Sequence, residues 1–223
     1  MRVLGVDTAT SVCSVGIAGE GGFEADYRIN RGYIHGEYLS IAIKEVLKSC
    51  DISLKDIDGF AVSIGPGSFT GLRIGLAVIK GIMLGEKRPV AAVPTMDGLI
   101  HQVPPISRKG CVMLVARKKE VYQGIYRYSD GRWKKEEKYQ VVNEKDIGKG
   151  FSEEDIVFIG NGTEKFFHEI SDRVDNPVFL AQNFSLPSGF GVAGLGREMI
   201  KEGKEADIES LVPLYVKSFK GIM

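Results

Sequence analysis

The sequence predicts an α/β protein made of two similar units in tandem, and three observations carry that expectation. The first thirty residues hold three short strand-like runs separated by tight turns, which is a β-meander. Helical-period and strand-like segments then alternate. After Pro104-Pro105 the same order starts again, three strands first and alternation after. The expected division is therefore residues 1–103 and 104–223, with the proline pair as the connection. Duplication is indicated by the order of elements, since no internal sequence repeat is visible.

Residues 2–7 form an apolar run ending in Asp7, residues 11–18 a second strand, and residues 23–30 a third, with glycines 19, 21 and 22 in the intervening turn. Residues 35–50 place Leu39, Ala42, Ile43, Val46 and Leu47 at helical spacing, and Tyr38 and Ile41 widen that stripe. Ser53-Leu54-Lys55-Asp56 reads as a helix-start signal for one short turn. Residues 59–64 read as a buried strand. A glycine-rich loop then enters a helix that ends near Gly85, followed by a strand at 89–93 and a short helix near 95–102. In the second half, strands are expected at 111–116, 121–128 and 132–142, with Asp130-Gly131 as the turn between the last two. A buried strand at 156–160, a helix at 163–171, and a glycine-containing helix from Pro187 to about Lys201 complete the series.

Composition narrows the function classes. Hydrophobic residues at 43% and charged residues at 26% suit a folded domain, and no apolar run reaches the roughly 18 residues of a membrane span. Lys plus Arg and Asp plus Glu are equal at 29 each, which disfavours a protein that grips RNA unaided and favours a protein partner. Cys13, Cys50 and Cys111 form no C-x-x-C pair, so neither a zinc cluster nor a disulfide framework is indicated. Residues 1–7 read as a first strand rather than a secretion signal, and a cytoplasmic protein is expected.

Two motifs bear on chemistry. Asp7-Thr8-Ala9-Thr10-Ser11 places an acid and hydroxyls in a hairpin turn, an arrangement that can hold a metal-bound phosphate. Ala9 stands where phosphate-binding hairpins carry glycine, and from this motif alone a plain turn is the favoured reading. Gly65-Pro66-Gly67-Ser68-Phe69-Thr70-Gly71-Leu72-Arg73-Ile74-Gly75 runs a glycine loop into a helix start, a natural anion site with Ser68 or Thr70 as cap. It lacks the P-loop lysine, the third glycine of the dinucleotide fingerprint, and any G-x-S-x-G. Between Phe69 and Gly85 only Arg73 and Lys80 are charged, so this helix is expected to be covered on more than one side. Gly71 and Gly75 share one face and suggest close approach of another helix. With the wide stripe of the preceding helix, an external partner is favoured over burial within the chain. His35, His101 and His168 show no metal-binding spacing. Arg117-Lys118-Lys119 is a small basic turn, most simply solvated.

The start Leu4-Gly5-Val6-Asp7-Thr8-Ala9-Thr10, the segment His35-Gly36-Glu37, the glycine segment 65–75, and Pro213-Leu214-Tyr215-Val216 resemble the TsaB family, also called YeaZ. That resemblance implies the two-lobed actin/sugar-kinase/Hsp70 (RNase H-like) fold. It implies a non-catalytic activator of threonylcarbamoyl transfer to the adenosine beside the tRNA anticodon, touching tRNA only indirectly. The implied partners are the paralogue TsaD, the ATPase TsaE and the pathway enzyme TsaC, with a homodimer when the chain is alone. Asp7, Thr8, Thr10, Gly65, Gly67 and Ser68 would form a degenerate nucleotide site, with no cofactor or metal expected. The metal-binding His-x-x-x-His of TsaD is not reproduced, because Leu39 follows His35 by four. The pairing surface would include Tyr38, Ile41, Gly71, Arg73, Gly75 and Val78. The alternatives are an ATP-dependent kinase or ATPase of the same fold and, disfavoured for want of ligands, a metallopeptidase.

Overall fold

The computed structural model describes residues 1–32, 34–107, 109–151 and 155–216. The chain forms two units, one of Met1–Gln102 with Leu186–Pro213, the other of Val103–Ser185 with the residues from 214 onward.

In the first unit β1 (Val3–Asp7), β2 (Cys13–Gly19) and β3 (Gly22–Ile29) form the expected meander. Helix α1 (His35–Ser49), a 3-10 turn (Leu54–Asp56), β4 (Gly59–Gly65), α2 (Phe69–Met83), β5 (Val90–Pro94) and α3 (Thr95–His101) follow. The sheet order is β3-β2-β1-β4-β5, antiparallel across the meander and parallel across β1, β4 and β5. Successive strand side chains alternate between faces. Leu4, Val6, Phe60 and Val62 therefore pack under α1 and α2, while Val3, Ala61 and Val93 face the other way, onto α7 (Gly189–Lys201).

The return of the chain at residue 186 departs from the expected division at 103/104, and its cause is steric. Helix α7 lies directly on the first sheet because glycine meets backbone at several points. A β-carbon on Gly5 or Gly16 would strike the α7 backbone around Gly189 and Phe190, and one on Gly196 would strike Ala61. A clamp of polar groups holds the helix start. Ser188 caps it by accepting from the Gly191 N–H, and donates to Asp26 Oδ2 at 2.9 Å, while the Gly189 N–H donates to Ser14 Oγ at 2.7 Å.

The second unit repeats the topology. Its strands are β6 (Lys109–Arg117), β7 (Glu120–Ser129), β8 (Arg132–Lys135), β9 (Gln140–Asn143), β10 (Ile156–Ile159) and β11 (Val178–Phe179). The order β8-β7-β6-β10-β11 matches β3-β2-β1-β4-β5 strand for strand, with the same directions. Its helices are short: α4 (Asn161–Lys165), α5 (Phe167–Ser171) and α6 (Gln182–Ser185). Asp130 and Gly131 both have positive φ, 52° and 76°, as the tight turn between β7 and β8 requires.

Two expectations for this half are corrected, and one unforeseen strand is added. The strand at 132–142 is two strands, β8 and β9, on the same edge of β7. Tyr126 faces Lys135 but Gln123 faces Gln140, so two extra residues bulge out at 136–139, the charged stretch. The helix at 163–171 is broken at Phe166, whose φ of −115° leaves the helical range so that its ring is buried. Strand β11, only two residues long, carries no readable period.

Candidate functional site

The two motifs singled out in the first unit come together, and they do so by bonding to each other. Residues 7–10, between β1 and β2, are all buried, and residues 65–68 between β4 and α2 lie against them. The Ser68 N–H donates to the Ala9 carbonyl at 2.6 Å. Thr8 Oγ1 donates to the Gly71 carbonyl at 2.8 Å. His35, at the start of α1, bonds the Thr10 carbonyl through Nε2 at 2.8 Å, and because a carbonyl only accepts, that nitrogen carries the proton. Ala9 is the residue that fits: a β-carbon on Gly67 would stand 2.7 Å from the Ala9 methyl. Ser68, not Thr70, caps α2, accepting from the Gly71 N–H at 3.2 Å. At the other end of the loop, the Gly65 N–H donates to Thr95 Oγ1 at 3.1 Å, and the Gly65-Pro66 peptide is cis.

Asp7 is the unusual group. Its carboxyl is wholly buried and accepts the Ala9 N–H at 2.9 Å, with no cation beside it among the described residues. Burial raises its pKa from 3.8 to about 6, and the Ala9 bond and the nearby Ser63 hydroxyl only partly oppose the rise. Ser63 Oγ is itself buried, close enough to act on the Asp7 carboxyl but outside normal hydrogen-bond geometry to any group of the described residues. Burial also lowers the His35 pKa, with the Thr10 bond acting against it. Ser63 and Thr95 were missed in the sequence because nothing about an isolated strand serine or a post-proline threonine marks the loop it will face.

The six residues expected at a pairing surface divide. Gly71 and Gly75 are corrected: both are buried and face β1 and its turn, not outward. A β-carbon on Gly71 would strike the Thr8 carbonyl, and one on Gly75 would stand 2.5 Å from Thr8 Oγ1. The small-residue face admits a hairpin turn of the same unit, so it is not free for a partner helix. Tyr38 and Val78 are partly buried, Val78 against the core of the first unit. Ile41 and Arg73 are exposed. Much of the apolar excess of α2 is likewise absorbed at home, by Ile74, Val78, Ile82 and Met83. What remains outside is one stripe at helical spacing: Phe69, Arg73, Ala77 and Leu84, the last 89% exposed. The Arg73 guanidinium sits 3.9 Å from the Phe69 ring centre. The i, i+4 recurrence from Phe69 was available in the sequence.

No group of three or more His, Cys, Asp or Glu side chains able to hold a metal ion converges among the described residues. His35 and Leu39 are both buried. No helix of the described residues is long and apolar enough to cross a membrane.

A family model for TsaD, tRNA N6-adenosine threonylcarbamoyltransferase, matches residues 33–217. The chain is 32% identical to the tRNA threonylcarbamoyladenosine biosynthesis protein TsaB of Buchnera aphidicola subsp. Baizongia pistaciae, over 96% of this chain and 97% of that one. It is 28% identical to the TsaB of Escherichia coli K12, over 98% and 95%. The solved structure of YeaZ from Pseudomonas aeruginosa superposes with a TM-score of 0.83 at 25% identity, covering 96% of this chain and 99% of that one. An ROK hexokinase from Thermus thermophilus shares the fold, with a TM-score of 0.53 at 12% identity over 91% and 100%.

Proposed function

We propose, from the fact that this chain belongs to the TsaB (YeaZ) family and so takes part in making tRNA threonylcarbamoyladenosine, that it is the non-catalytic partner of the transferase TsaD and activates it by pairing. The observation that carries the reading is the self-satisfied turn. A tight turn after a strand can offer its N–H and hydroxyl groups to a phosphate. Here the Thr8 hydroxyl is spent on the Gly71 carbonyl and the Ala9 N–H on Asp7, while the Ala9 and Thr10 carbonyls accept from Ser68 and His35 and lock the turn under its own loop. An acid without a cation, packed under its own loop, is poorly placed to turn over a nucleotide, and this speaks against the kinase or ATPase alternative.

Pairing with TsaD is assigned to the outer faces of α1 and α2. Ile41 from α1 and the stripe Phe69, Arg73, Ala77 and Leu84 from α2 present aromatic, aliphatic and guanidinium groups, the types enriched at the centre of interfaces. The same surface serves self-association when TsaD is absent. TsaE and TsaC act in the same cytoplasmic pathway, and no cofactor is assigned to this chain.

The test is reconstitution of tRNA modification from TsaC, TsaD and TsaE with and without this chain. Stimulation by the chain, lost with Ile41→Glu and Leu84→Glu together while the melting temperature holds, supports the reading. Full modification without the chain, or undiminished pairing of the double variant with TsaD, sinks it. Mg-ATP binding by calorimetry that disappears in Asp7→Ala would favour the kinase or ATPase instead.

A further inference from the structure

One end of the second unit gathers cations from four separated stretches of chain. The β6–β7 hairpin tip carries Arg117, Lys118 and Lys119, all exposed. Lys165, at the end of α4, donates through Nζ to the Arg117 carbonyl at 3.1 Å. The loop after β9 rises beside the tip, where the Glu144 N–H donates to the Lys119 carbonyl at 2.9 Å and Lys119 Nζ bonds Glu144 Oε1 at 2.8 Å. Arg173 ties that loop from the other side, with Nη1 donating to the carbonyls of Glu144 at 3.0 Å and Ile147 at 2.9 Å. Lys145, exposed, follows Glu144 directly.

The six cations divide by task. Lys119, Lys165 and Arg173 fasten the tip, the loop and the two short helices into one platform. Arg117, Lys118 and Lys145 project from it and make no ion pair among the described residues. The acids at this end include Glu120, Glu144, Asp146, Glu164 and Asp172, of which Glu144 is taken up by Lys119 and Asp146 by Lys149. The tip backbone is braced by Lys165 directly and by the loop that Arg173 holds, more fastening than a solvated turn requires.

We propose that this end of the second unit contacts RNA directly, with Arg117, Lys118 and Lys145 on successive phosphates of the tRNA backbone. The inference rests on the reading of the chain as a member of a tRNA-modifying assembly, which is what selects RNA among polyanions. Backbone contacts position an RNA without reading its sequence. A chain of zero net charge gains from so small a patch only a weak, salt-sensitive grip, which becomes useful when a partner holds the same RNA.

The experiment uses the complex of this chain with TsaD and an unmodified tRNA transcript, followed by fluorescence anisotropy from low to moderate salt. The variant is Arg117→Ala, Lys118→Ala and Lys145→Ala together. Its affinity should fall about tenfold, and its log–log salt slope should become shallower by about 2, as expected for the loss of three phosphate contacts. Arg117→Lys should keep the wild-type affinity. Pairing with TsaD, read by size exclusion, should not change, because all three side chains are exposed. Unchanged affinity and slope in the triple variant overturn the proposal. So does loss of binding to phosphatidylserine vesicles with tRNA binding intact. Should the wild-type chain fail to stimulate TsaD, the scaffold reading falls, and the anisotropy still decides this contact.

Discussion

Replacing Asp7 by Asn should make the protein more stable, and only at neutral pH. In the folded state the Asp7 pKa is about 6 against 3.8 for the unperturbed group. A raised folded pKa means that the native state holds the proton more tightly than the unfolded chain does. The favourable contribution is complete below about pH 4 and is lost as pH rises toward 6. Above that, the buried carboxylate opposes folding. The shift from 3.8 to about 6 corresponds to roughly 3 kcal/mol at 1.36 kcal/mol per unit. Asn keeps an oxygen for the Ala9 N–H, carries no charge, and its amide can donate to the otherwise unsatisfied Ser63 Oγ. The variant should thus gain up to about 3 kcal/mol at pH 7.5, or about 6 to 12 °C in Tm for a chain of this size, and no more than about 0.5 kcal/mol at pH 4. Urea unfolding of both proteins between pH 4 and pH 8 measures this, and subtracting the curves removes the titration of distant groups. A stability difference that is constant across that range, or a variant less stable than wild type at pH 7.5, refutes the account of Asp7 as an uncompensated buried acid.

Two further predictions come from the packing. Gly75→Ala should destabilise the first unit by about 1 to 3 kcal/mol through collision with Thr8 Oγ1, whereas Gly81→Ala on the same helix, with nothing within 4 Å, should stabilise by about 0.5 to 1 kcal/mol; thermal melts of the two variants give the signs, and like signs would contradict the packing. Asp26→Ala removes the acceptor of Ser188 Oγ and the partner of Arg28 and should cost about 1 to 3 kcal/mol, with amide exchange of Gly189 and Gly191 rising before that of β1.

Those glycines also show where the sequence was legible and where it was not. The meander, α1 and α2 could be read because their signals are local: turns with glycine or Asp-Gly, and apolar residues at one period. The motifs 7–10 and 65–75 could be picked out as belonging to one region. That they satisfy each other could not, since a glycine reports room for a neighbour without saying which. Gly71 and Gly75 suggested an incoming helix and instead admit Thr8. Gly5 and Gly16 have meaning only opposite Gly189 and Phe190, more than 170 residues later. The stretch 136–139 lies inside the single strand expected at 132–142. Its two surplus residues emerge only from the register against β7.

The seating of α7 on the first sheet has a consequence for synthesis. When a ribosome has released the first 102 residues, the face of β1 and β4 that awaits Val192, Ala193 and Ile200 is still bare. The stretch 103–185, though later in the chain, supplies every strand of its own sheet without a break. The sheet begun first therefore waits for its covering helix until after every strand of the second sheet has been made. Until residue 201 emerges, five strands with one greasy side have to be kept from sticking to something else.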